Sequence, residues 1–343
     1  MYIMKDVDLS KYSTMRLGGK AKYLANINDK TDIPNYLDWA KEKNLPVITI
    51  GSGSNIIWGD KGFKGLVLVN KIPGINFTKL SPEETFLAVG AGENWDKVVK
   101  ESVKKGLHGI EALSLIPGTA GATPIQNVGA YGQEVSDTIE SIEAYDIKTE
   151  RLVNLANDTC QFGYRTSRFK TKDRNRFVIT SITFSLNNDL PQPPFYASLQ
   201  KYIDTLNITK FNPKVIRELV IAIRSSKLPN PKKIANNGSF FANPIVSNTT
   251  YYRIRKNYKG NQDIPAWKVK DGYKLSAAWL IEQIGYKDKH DKTTGMATWH
   301  LQPLVLVNEK AKKTKDLIKF RDKIQTKVFN EFGVNLQQEP EII

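Results

Sequence analysis

Apolar residues recur along the chain with two different periods, and each period predicts one kind of element. Runs of β-branched and alternating apolar residues predict strands at residues 47–50, 55–58, 65–69, 85–89, 138–147, 176–186 and 304–307. Apolar residues spaced by three or four predict helices at residues 35–43, 95–105, 213–224 and 275–284, and a long C-terminal helix that includes residues 310–327. Strands and helices mixed in this way indicate an α+β fold.

Proline and glycine clusters suggest where the chain divides. Its 343 residues are too many for one ordinary core, so we expect two or three domains. Pro73-Gly74 begins a second part, and Leu228-Pro229-Asn230-Pro231 follows the predicted helix at 213–224. The predicted parts are residues 1–73, residues 74–228 together with 333–343, and residues 229–332.

The composition argues against several classes of protein. No stretch approaches the ~20 continuous apolar residues that a membrane helix needs, and the first residues lack the apolar core of an export signal. The single cysteine, Cys160, excludes an internal disulfide framework and points to a reducing compartment. Three histidines, scattered in sequence and without metal-ligand spacing, predict no metal site.

The net charge of +15 has two interpretations. A clustered basic surface would indicate nucleic-acid binding, whereas a dispersed positive field would steer an anionic small molecule to a cleft. The lysines are spread over the whole chain, and the densest stretch, residues 310–327, is typical of the solvated face of an amphipathic helix. We therefore favour an anionic small molecule as the ligand.

A glycine-rich turn follows the strand predicted at residues 47–50. A dinucleotide-binding Rossmann turn would open a helix, but here residues 55–58 predict a strand, and no P-loop motif occurs. Two alternatives stay open: a nest of backbone N–H groups that binds an anion, and a plain glycine hairpin. The residues of this turn are Gly51, Ser52, Gly53, Ser54 and Asn55.

A second glycine-rich segment, residues 116–132, favours the anion site. It holds four glycines and two prolines among small residues, so its backbone can approach a large flat ligand closely. Gln126 and Asn127 would present hydrogen-bonding groups to a ring system, and the alternative is an ordered structural loop. The candidate ligand contacts are Pro117, Gly118, Thr119, Ala120, Gly121, Thr123, Gln126, Asn127, Gly129, Ala130 and Tyr131.

Three further residues carry candidate chemistry. Ser239 lies between Gly238, which frees the backbone, and two phenylalanines that would exclude water. No histidine adjacent in sequence can act as its base, which argues against a serine hydrolase. With Arg165 and Glu341, this serine and the glycine segments suggest redox chemistry on an anionic, phosphorylated substrate. Taken singly, they also fit a Gly-Ser turn, a surface arginine and a frayed terminus.

The order and spacing of these segments resemble the UDP-N-acetylenolpyruvoylglucosamine reductases (MurB). The resemblance spans nearly the whole chain, and the stretch at residues 195–199, in a loop near 191–200, resembles the extra tyrosine loop of the type I branch, which closes over the substrate. Besides the glycine segments, the motifs are Ser13-Thr14-Met15-Arg16-Leu17-Gly18-Gly19, Phe162-Gly163-Tyr164-Arg165, Lys227-Leu228-Pro229-Asn230-Pro231, Gly238-Ser239-Phe240-Phe241-Ala242-Asn243-Pro244 and Glu339-Pro340-Glu341.

The resemblance implies a fold and an activity. The fold is an FAD-binding fold of the vanillyl-alcohol-oxidase/PCMH type, with residues 1–73 and residues 74–228 plus 333–343 as two subdomains, and a separate α+β substrate-binding domain at residues 229–332. The activity is the NADPH-dependent, FAD-mediated reduction of UDP-N-acetylglucosamine enolpyruvate to UDP-N-acetylmuramate for the bacterial cell wall. We then expect a cytoplasmic monomer that binds neither nucleic acid nor a membrane.

The resemblance also implies roles for single residues. The turn at residues 51–55 would contact the flavin pyrophosphate, and residues 116–132 would run along the flavin. Arg165 would hold the charge that develops on the substrate, Ser239 would supply a proton, and Glu341 would assist on the carboxylate side. The positions that match UDP-sugar contacts are Tyr196, Lys227, Asn243 and Glu309. A basic nucleic-acid-binding protein and a flavin oxidase acting on an alcohol are the alternatives.

Overall fold

The computed structural model describes residues 1–260 and 263–343. In this part of the chain the strands are β1 (Met4–Asp8), β2 (Lys20–Ile27), β3 (Val47–Ile50), β4 (Ile56–Ile57), β5 (Phe63–Asn70), β6 (Ile75–Lys79), β7 (Glu84–Gly90), β8 (Gly129–Ala130), β9 (Gln133–Glu134), β10 (Ile139–Asp146), β11 (Arg151–Ala156), β12 (Phe177–Asn187), β13 (Ala235–Ser239), β14 (Ile245–Val246), β15 (Ala266–Val269), β16 (Gly272–Leu275), β17 (His290–Asp291), β18 (Met296–Trp299), β19 (Gln302–Asn308) and β20 (Glu341–Ile342). The α-helices are α1 (Ile33–Glu42), α2 (Trp95–Lys104), α3 (Ala197–Thr205), α4 (Pro213–Lys227), α5 (Asn248–Asn257), α6 (Ala277–Gln283) and α7 (Thr314–Phe332).

The chain divides into two units that each use several segments. The first unit is Met1–Val7, Ala21–Gly53 and Phe63–Ser226, and the second unit is Asp8–Lys20, Ser54–Gly62 and Lys227–Ile343. The sequence boundaries at residues 73, 228 and 333 stay predictions.

The first unit holds two sheets. One has the order β1-β2-β5-β3, with β2 and β3 both parallel to β5. The helix α1 connects β2 to β3 and buries Ile33, Tyr36 and Ala40, which join the apolar cluster of this sheet. The other sheet has the order β11-β10-β12-β7-β6 and is antiparallel throughout.

The helix α2 supplies the core of the larger sheet. Asn94 caps it by accepting the N–H of Lys97, and the apolar face that follows is buried. Trp95 packs against Phe184 of β12 with ring centres 5.6 Å apart, and its indole N–H donates to the carbonyl of Leu113 at 3.1 Å. The backbone N–H of Trp95 donates to the carbonyl of Gly118 at 3.1 Å, which fixes the helix start beside the glycine-rich segment at residues 116–132.

The second unit holds the sheet β13-β19-β18-β17, the smaller sheet β14-β16-β15, and the parallel pair β20-β4. Its core gathers apolar side chains from α5, α6, α7 and β19. The start of α7 is capped by a residue that is distant in sequence. Asp60 accepts the N–H groups of Thr314 and Lys315 at 2.6 and 3.1 Å. Its end is a left-handed Gly333 with a φ of 66°.

The structure confirms the predicted α+β content and most of the long elements. The strand predicted at residues 55–58 is only the two-residue β4, and the segment at residues 195–199, predicted as a loop, runs into α3. The pattern did not predict β2, β11 or α5. Across the described residues, none of the helices combines the length and the apolarity that crossing a membrane requires.

Candidate active site

The two glycine-rich segments of the first unit touch each other. The strand β3 ends at Gly51, where a β-carbon would collide with the hydroxyl oxygen of Thr119. Gly53 has a φ of 72°, which an L-residue rarely adopts. The Thr119 hydroxyl is buried and has no hydrogen-bond partner within the described part of the chain. A buried polar atom without a partner, next to closely packed backbone, indicates a ligand-binding site.

The glycine-rich segment ends in a tight hairpin. The strands β8 and β9 pair through Gly129 with Glu134 and Ala130 with Gln133. The two turn residues, Tyr131 and Gly132, have φ values of 49° and 87°, so the turn needs left-handed backbone at both central positions, as hairpins with two-residue loops do. A tyrosine held in this conformation is strained, which points to a function for its side chain.

The side-chain amide of Asn127 makes hydrogen bonds within the protein. The amide nitrogen donates to Glu134 Oε2 at 2.7 Å and to the carbonyl of Gly163 at 3.2 Å, and the amide oxygen accepts the N–H of Ser136 at 3.1 Å. The residue is buried, with a φ of 48°. These bonds tie the glycine-rich segment to the turn that carries Arg165. Direct contact of Asn127 with a cofactor stays a prediction, and the bonds give it a positioning role.

Arg165 sits at the tip of a two-residue turn. Gly163 and Thr166 exchange backbone hydrogen bonds at 3.1 and 3.2 Å, and Arg165 between them has a φ of 54°. Its guanidinium donates to the carbonyl of Gly129 at 2.8 Å. Lys170 donates to the carbonyl of Arg165 at 3.1 Å. The structure therefore brings the predicted catalytic arginine to the hairpin of the predicted flavin loop.

Tyr196 lies beside that same hairpin. Its ring centre is 6.1 Å from the ring centre of Tyr131, edge to face, and Tyr196 is 47% exposed. Burial raises the pKa of the Tyr131 hydroxyl, and the nearby charge of Arg224 opposes the rise. The Nε of Arg224 is buried with no hydrogen-bond partner within the described residues. Sequence reasoning missed Arg224, since an arginine in a basic, amphipathic helix carries no distinguishing signal.

The buried Glu111, paired with His108, contacts the hairpin through Gln133. Glu111 is 1% exposed and accepts from His108 Nδ1 at 2.7 Å, Gln133 Nε2 at 2.9 Å and the N–H of Gly109 at 2.8 Å. Gln133 also accepts the N–H of Ala112 at 2.8 Å. Burial would raise the pKa of Glu111, but the hydrogen bond and charge of His108 together with the backbone N–H groups lower it. The hydrogen bond to Glu111 raises the pKa of His108.

We expect this pair to make stability depend on pH. A raised pKa in His108 stabilises the fold below its ordinary value of 6.5, and the gain is lost as pH rises through the raised value. A lowered pKa in Glu111 stabilises the fold above its ordinary value of 4.5 and is lost as pH falls. His108→Gln should therefore lower the midpoint of thermal unfolding more at about pH 6 than at about pH 9. Exposed His300→Gln is the control, and an equal loss at both pH values would contradict this expectation.

In the second unit, Ser239 ends β13 just after an irregularity. The pairing of β13 with β19 shifts register between Asn236 and Ser239, where Gly238 has a φ of 71° and open space at the position a β-carbon would take. Ser239 is half-buried. Phe240 and Phe241 are fully buried and pack edge to face, with ring centres 5.1 Å apart. After the irregularity Ser239 pairs with Val305 of β19, so the bulge changes the register just before the serine and the two buried rings follow it.

The C-terminal segment is anchored beside the turn at residues 51–55. The N–H of Glu341 donates to the carbonyl of Asn55 at 2.9 Å, and the N–H of Ile343 donates to the carbonyl of Ile57 at 3.0 Å. The side chain of Asn55 donates to the carbonyl of Glu339 at 3.3 Å. Glu341 therefore belongs to a parallel strand pair with β4, rather than to a frayed terminus.

The remaining predicted substrate contacts, Lys227, Asn243 and Glu309, belong to the second unit. Lys227 is exposed at the end of α4, and its carbonyl accepts the indole N–H of Trp299 at 3.0 Å. The amide oxygen of Asn243 accepts the N–H of Ala277 at 3.0 Å, which orients the amide. Glu309 pairs with His290 at 2.8 Å, and this hydrogen bond raises the pKa of His290. The roles of these residues toward a substrate stay predictions.

The fold and the glycine cradle define an FAD-binding protein, since residues 21–156 match the FAD binding domain family. Residues 230–343 match the family described as the C-terminal domain of UDP-N-acetylenolpyruvoylglucosamine reductase. The chain therefore belongs to the UDP-N-acetylenolpyruvoylglucosamine reductase family and is an enzyme. The family resemblance drawn from the sequence, the FAD cofactor and the fold class are confirmed.

Full-length relatives support this assignment. The UDP-N-acetylenolpyruvoylglucosamine reductase of Ralstonia nicotianae is 38% identical over 98% of this chain and 97% of its own length. That of Alcanivorax borkumensis is 38% identical over 98% of this chain and 95% of its own. The crystal structure of UDP-N-acetylenolpyruvylglucosamine reductase from Thermus caldophilus has a TM-score of 0.66 at 19% identity, covering 99% of this chain and 98% of that one, and supports the fold.

The residues present fit a bound FAD. In the first unit, Gly51 lies so close to Thr119 that a β-carbon would collide with it, and the Thr119 hydroxyl is buried without a partner among the described residues. In the second unit, considered by itself, Asn237 has a buried amide oxygen without a partner in the described part of the chain. Buried hydrogen-bonding groups without a partner suit a cofactor that carries phosphates, hydroxyls and a polar ring edge.

Proposed function

We propose that the protein catalyses the NADPH-dependent, FAD-mediated reduction of UDP-N-acetylglucosamine enolpyruvate to UDP-N-acetylmuramate in peptidoglycan precursor synthesis. The observation that carries the proposal is identity of 38% with reductases of this name over nearly the full length of both chains. The anchoring of Glu341 beside Asn55 supports it further, because the backbone of this predicted catalytic residue is held next to the predicted cofactor turn.

Ser239 supplies the proton in this proposal. The chemistry provided by bound FAD is hydride transfer, from NADPH to the terminal carbon of the enolpyruvyl double bond. The adjacent carbon gains the electron pair of that bond, and the Ser239 hydroxyl donates a proton to it. A serine hydroxyl is a weak acid, so it acts by position next to a strongly basic carbon. Solvent returns the proton to the serine.

Arg165 and Glu341 act on the carboxylate of the substrate. Negative charge spreads from the reacting carbon onto this carboxylate, and a guanidinium is charged at every working pH and matches a carboxylate with two donors. One guanidinium N–H of Arg165 is bound to Gly129, which aims the rest of the group. Glu341, whose backbone pairs with β4, helps to polarise or protonate the carboxylate of the substrate.

Four residues bind the UDP-sugar in this proposal. Lys227 and Tyr196 contact the diphosphate, as a point charge and a hydroxyl donor. Asn243 offers its amide N–H groups, since its oxygen is engaged by Ala277, and Glu309 accepts hydrogen bonds from the nucleotide or sugar. The dispersed charge of +15 steers the anionic substrate and NADPH to the site.

The proposal extends to partners and location. The partners are small molecules only, with no nucleic acid and no membrane insertion, and the enzyme works as a monomer in the cytoplasm. A buried free thiol at Cys160 fits a reducing compartment. Gel filtration coupled to light scattering checks the monomer, and retention of nucleic acid that falls with salt would contradict the exclusion of nucleic acid.

We expect the purified protein to be yellow, with flavin absorbance that survives gel filtration. NADPH added without oxygen should bleach it, and the UDP-enolpyruvyl sugar should restore the colour with formation of UDP-N-acetylmuramate. A colourless protein that cannot be reconstituted with FAD would refute the function. Restoration of colour by oxygen but not by the sugar would favour an oxidase.

A further inference from the structure

Asn237 has an amide oxygen that nothing in the described chain satisfies. The residue is 8% exposed, and its Oδ1 is buried without a hydrogen-bond partner among residues 1–260 and 263–343. Such an oxygen loses water without gaining a donor, so native proteins rarely leave one unpaired. Neither the proposed reaction nor the predicted substrate contacts use this side chain.

The side-chain amide of Asn237 cannot be flipped to exchange its oxygen and its nitrogen. Its Nδ2 lies 2.9 Å from the carbonyl oxygen of Ser54 and 3.0 Å from the hydroxyl of Thr14. A carbonyl oxygen only accepts, so a turned amide would place two acceptors against each other. The Thr14 hydroxyl also lies 3.3 Å from the same carbonyl and donates to it. The Oδ1 therefore keeps its position and requires a donor from outside the described residues.

The neighbours of Asn237 indicate the source of that donor. Through Nδ2 it is bound to Ser54, in the turn assigned to FAD, and it lies two residues before Ser239. The phosphates of FAD offer no N–H or O–H at neutral pH, whereas its ring N–H and its ribityl hydroxyls are donors.

We propose that the Oδ1 of Asn237 accepts a hydrogen bond from the ring N–H or a ribityl hydroxyl of bound FAD. Its Nδ2 meanwhile ties the cofactor turn to the strand of the catalytic serine, so one side chain sets the position of both. This inference rests on the proposed function, because it requires FAD.

The test measures FAD affinity of the apoprotein by quenching of flavin fluorescence. Asn237→Ala should bind FAD about tenfold more weakly than the native protein, as expected for one buried hydrogen bond. Two FAD analogues locate the donor: one methylated at the ring nitrogen, and one lacking a ribityl hydroxyl. The analogue that lacks the donor should bind native protein and variant equally, and the other should keep the tenfold difference.

Two controls separate this role from general destabilisation. Thr14→Val removes one partner of Nδ2 and leaves Oδ1 in place, so it should lower the thermal midpoint of the apoprotein with less effect on FAD affinity. Asn70→Ala removes a buried asparagine whose amide has two partners in the chain, Ile179 and Ile72, and should leave FAD affinity within about twofold. If the alanine variant does not fold, Asn237→Ser takes its place in the same comparison.

Two results would overturn the inference. One is native FAD affinity in the Asn237 variant, which would mean that water satisfies the oxygen in both states. The other is an unchanged ratio of native to variant affinity for FAD and both analogues, which would show an indirect effect. If the native protein itself does not bind FAD, the proposed function fails as well, so the two failures are distinguishable.

Discussion

Ser239→Ala should leave the reduction of bound FAD by NADPH near its native rate and slow its reoxidation by the UDP-enolpyruvyl sugar about 10²–10⁴-fold, the usual contribution of a general acid. The hydroxyl is needed only when a proton reaches the substrate carbon, so only the second half-reaction should suffer. Within the described part of the chain the Ser239 hydroxyl makes no hydrogen bond, and alanine therefore removes a reacting group without removing a structural contact. Stopped-flow absorbance of the flavin measures each half-reaction separately.

Ser247→Ala is a matched control for this prediction. Its hydroxyl accepts the N–H of Thr250 at 3.2 Å and caps α5 in the same unit as Ser239. Alanine there should cost about 1 kcal/mol of stability and leave both half-reactions unchanged. Equal losses in the two half-reactions of Ser239→Ala would reject the role of Ser239 as the acid.

Periodicity predicted the elements that bury a continuous apolar face. The helices α2, α4 and α7 bury residues at helical spacing, so their positions followed from the pattern. The helix α5 buries only Ile254 among its ten residues, and a helix that is polar on most sides gives no such signal. Its stability comes instead from the Ser247 cap and from packing of Tyr251 on Tyr273, with ring centres 3.8 Å apart.

The sequence predicted candidate residues for the site but not the contacts that connect them. Glycines next to small residues indicated a ligand cradle at Gly51 and Thr119. The contacts that fix Ser54 to Asn237 join residues separated by 183 positions, and no local pattern encodes such a pairing. The same limit applies to Asn127, whose residue type suggested a flavin contact although its amide is bound to Gly163 and Ser136.

Arg165→Ala should lower turnover about 10²–10³-fold, the loss measured when one donor to a developing negative charge is removed. The charge of Arg165 is fixed in place by its hydrogen bond to Gly129 and by the turn that carries it, so water cannot replace it with the same geometry. Steady-state turnover with the UDP-enolpyruvyl sugar measures the loss. A decrease smaller than about tenfold would remove Arg165 from the mechanism, and exposed Arg255→Ala controls for the loss of a positive charge alone.

A glycine at the same position separates catalysis from stability. Arg165 has a φ of 54°, and left-handed backbone costs an L-residue about 1–2 kcal/mol that glycine does not incur. Arg165→Gly should therefore be about 1 kcal/mol more stable than Arg165→Ala in thermal unfolding, yet lose as much turnover. If turnover instead recovered together with stability, the arginine would serve only to hold the turn. Equal loss of turnover at unequal stability would show that turnover depends on the guanidinium and not on the stability of the turn.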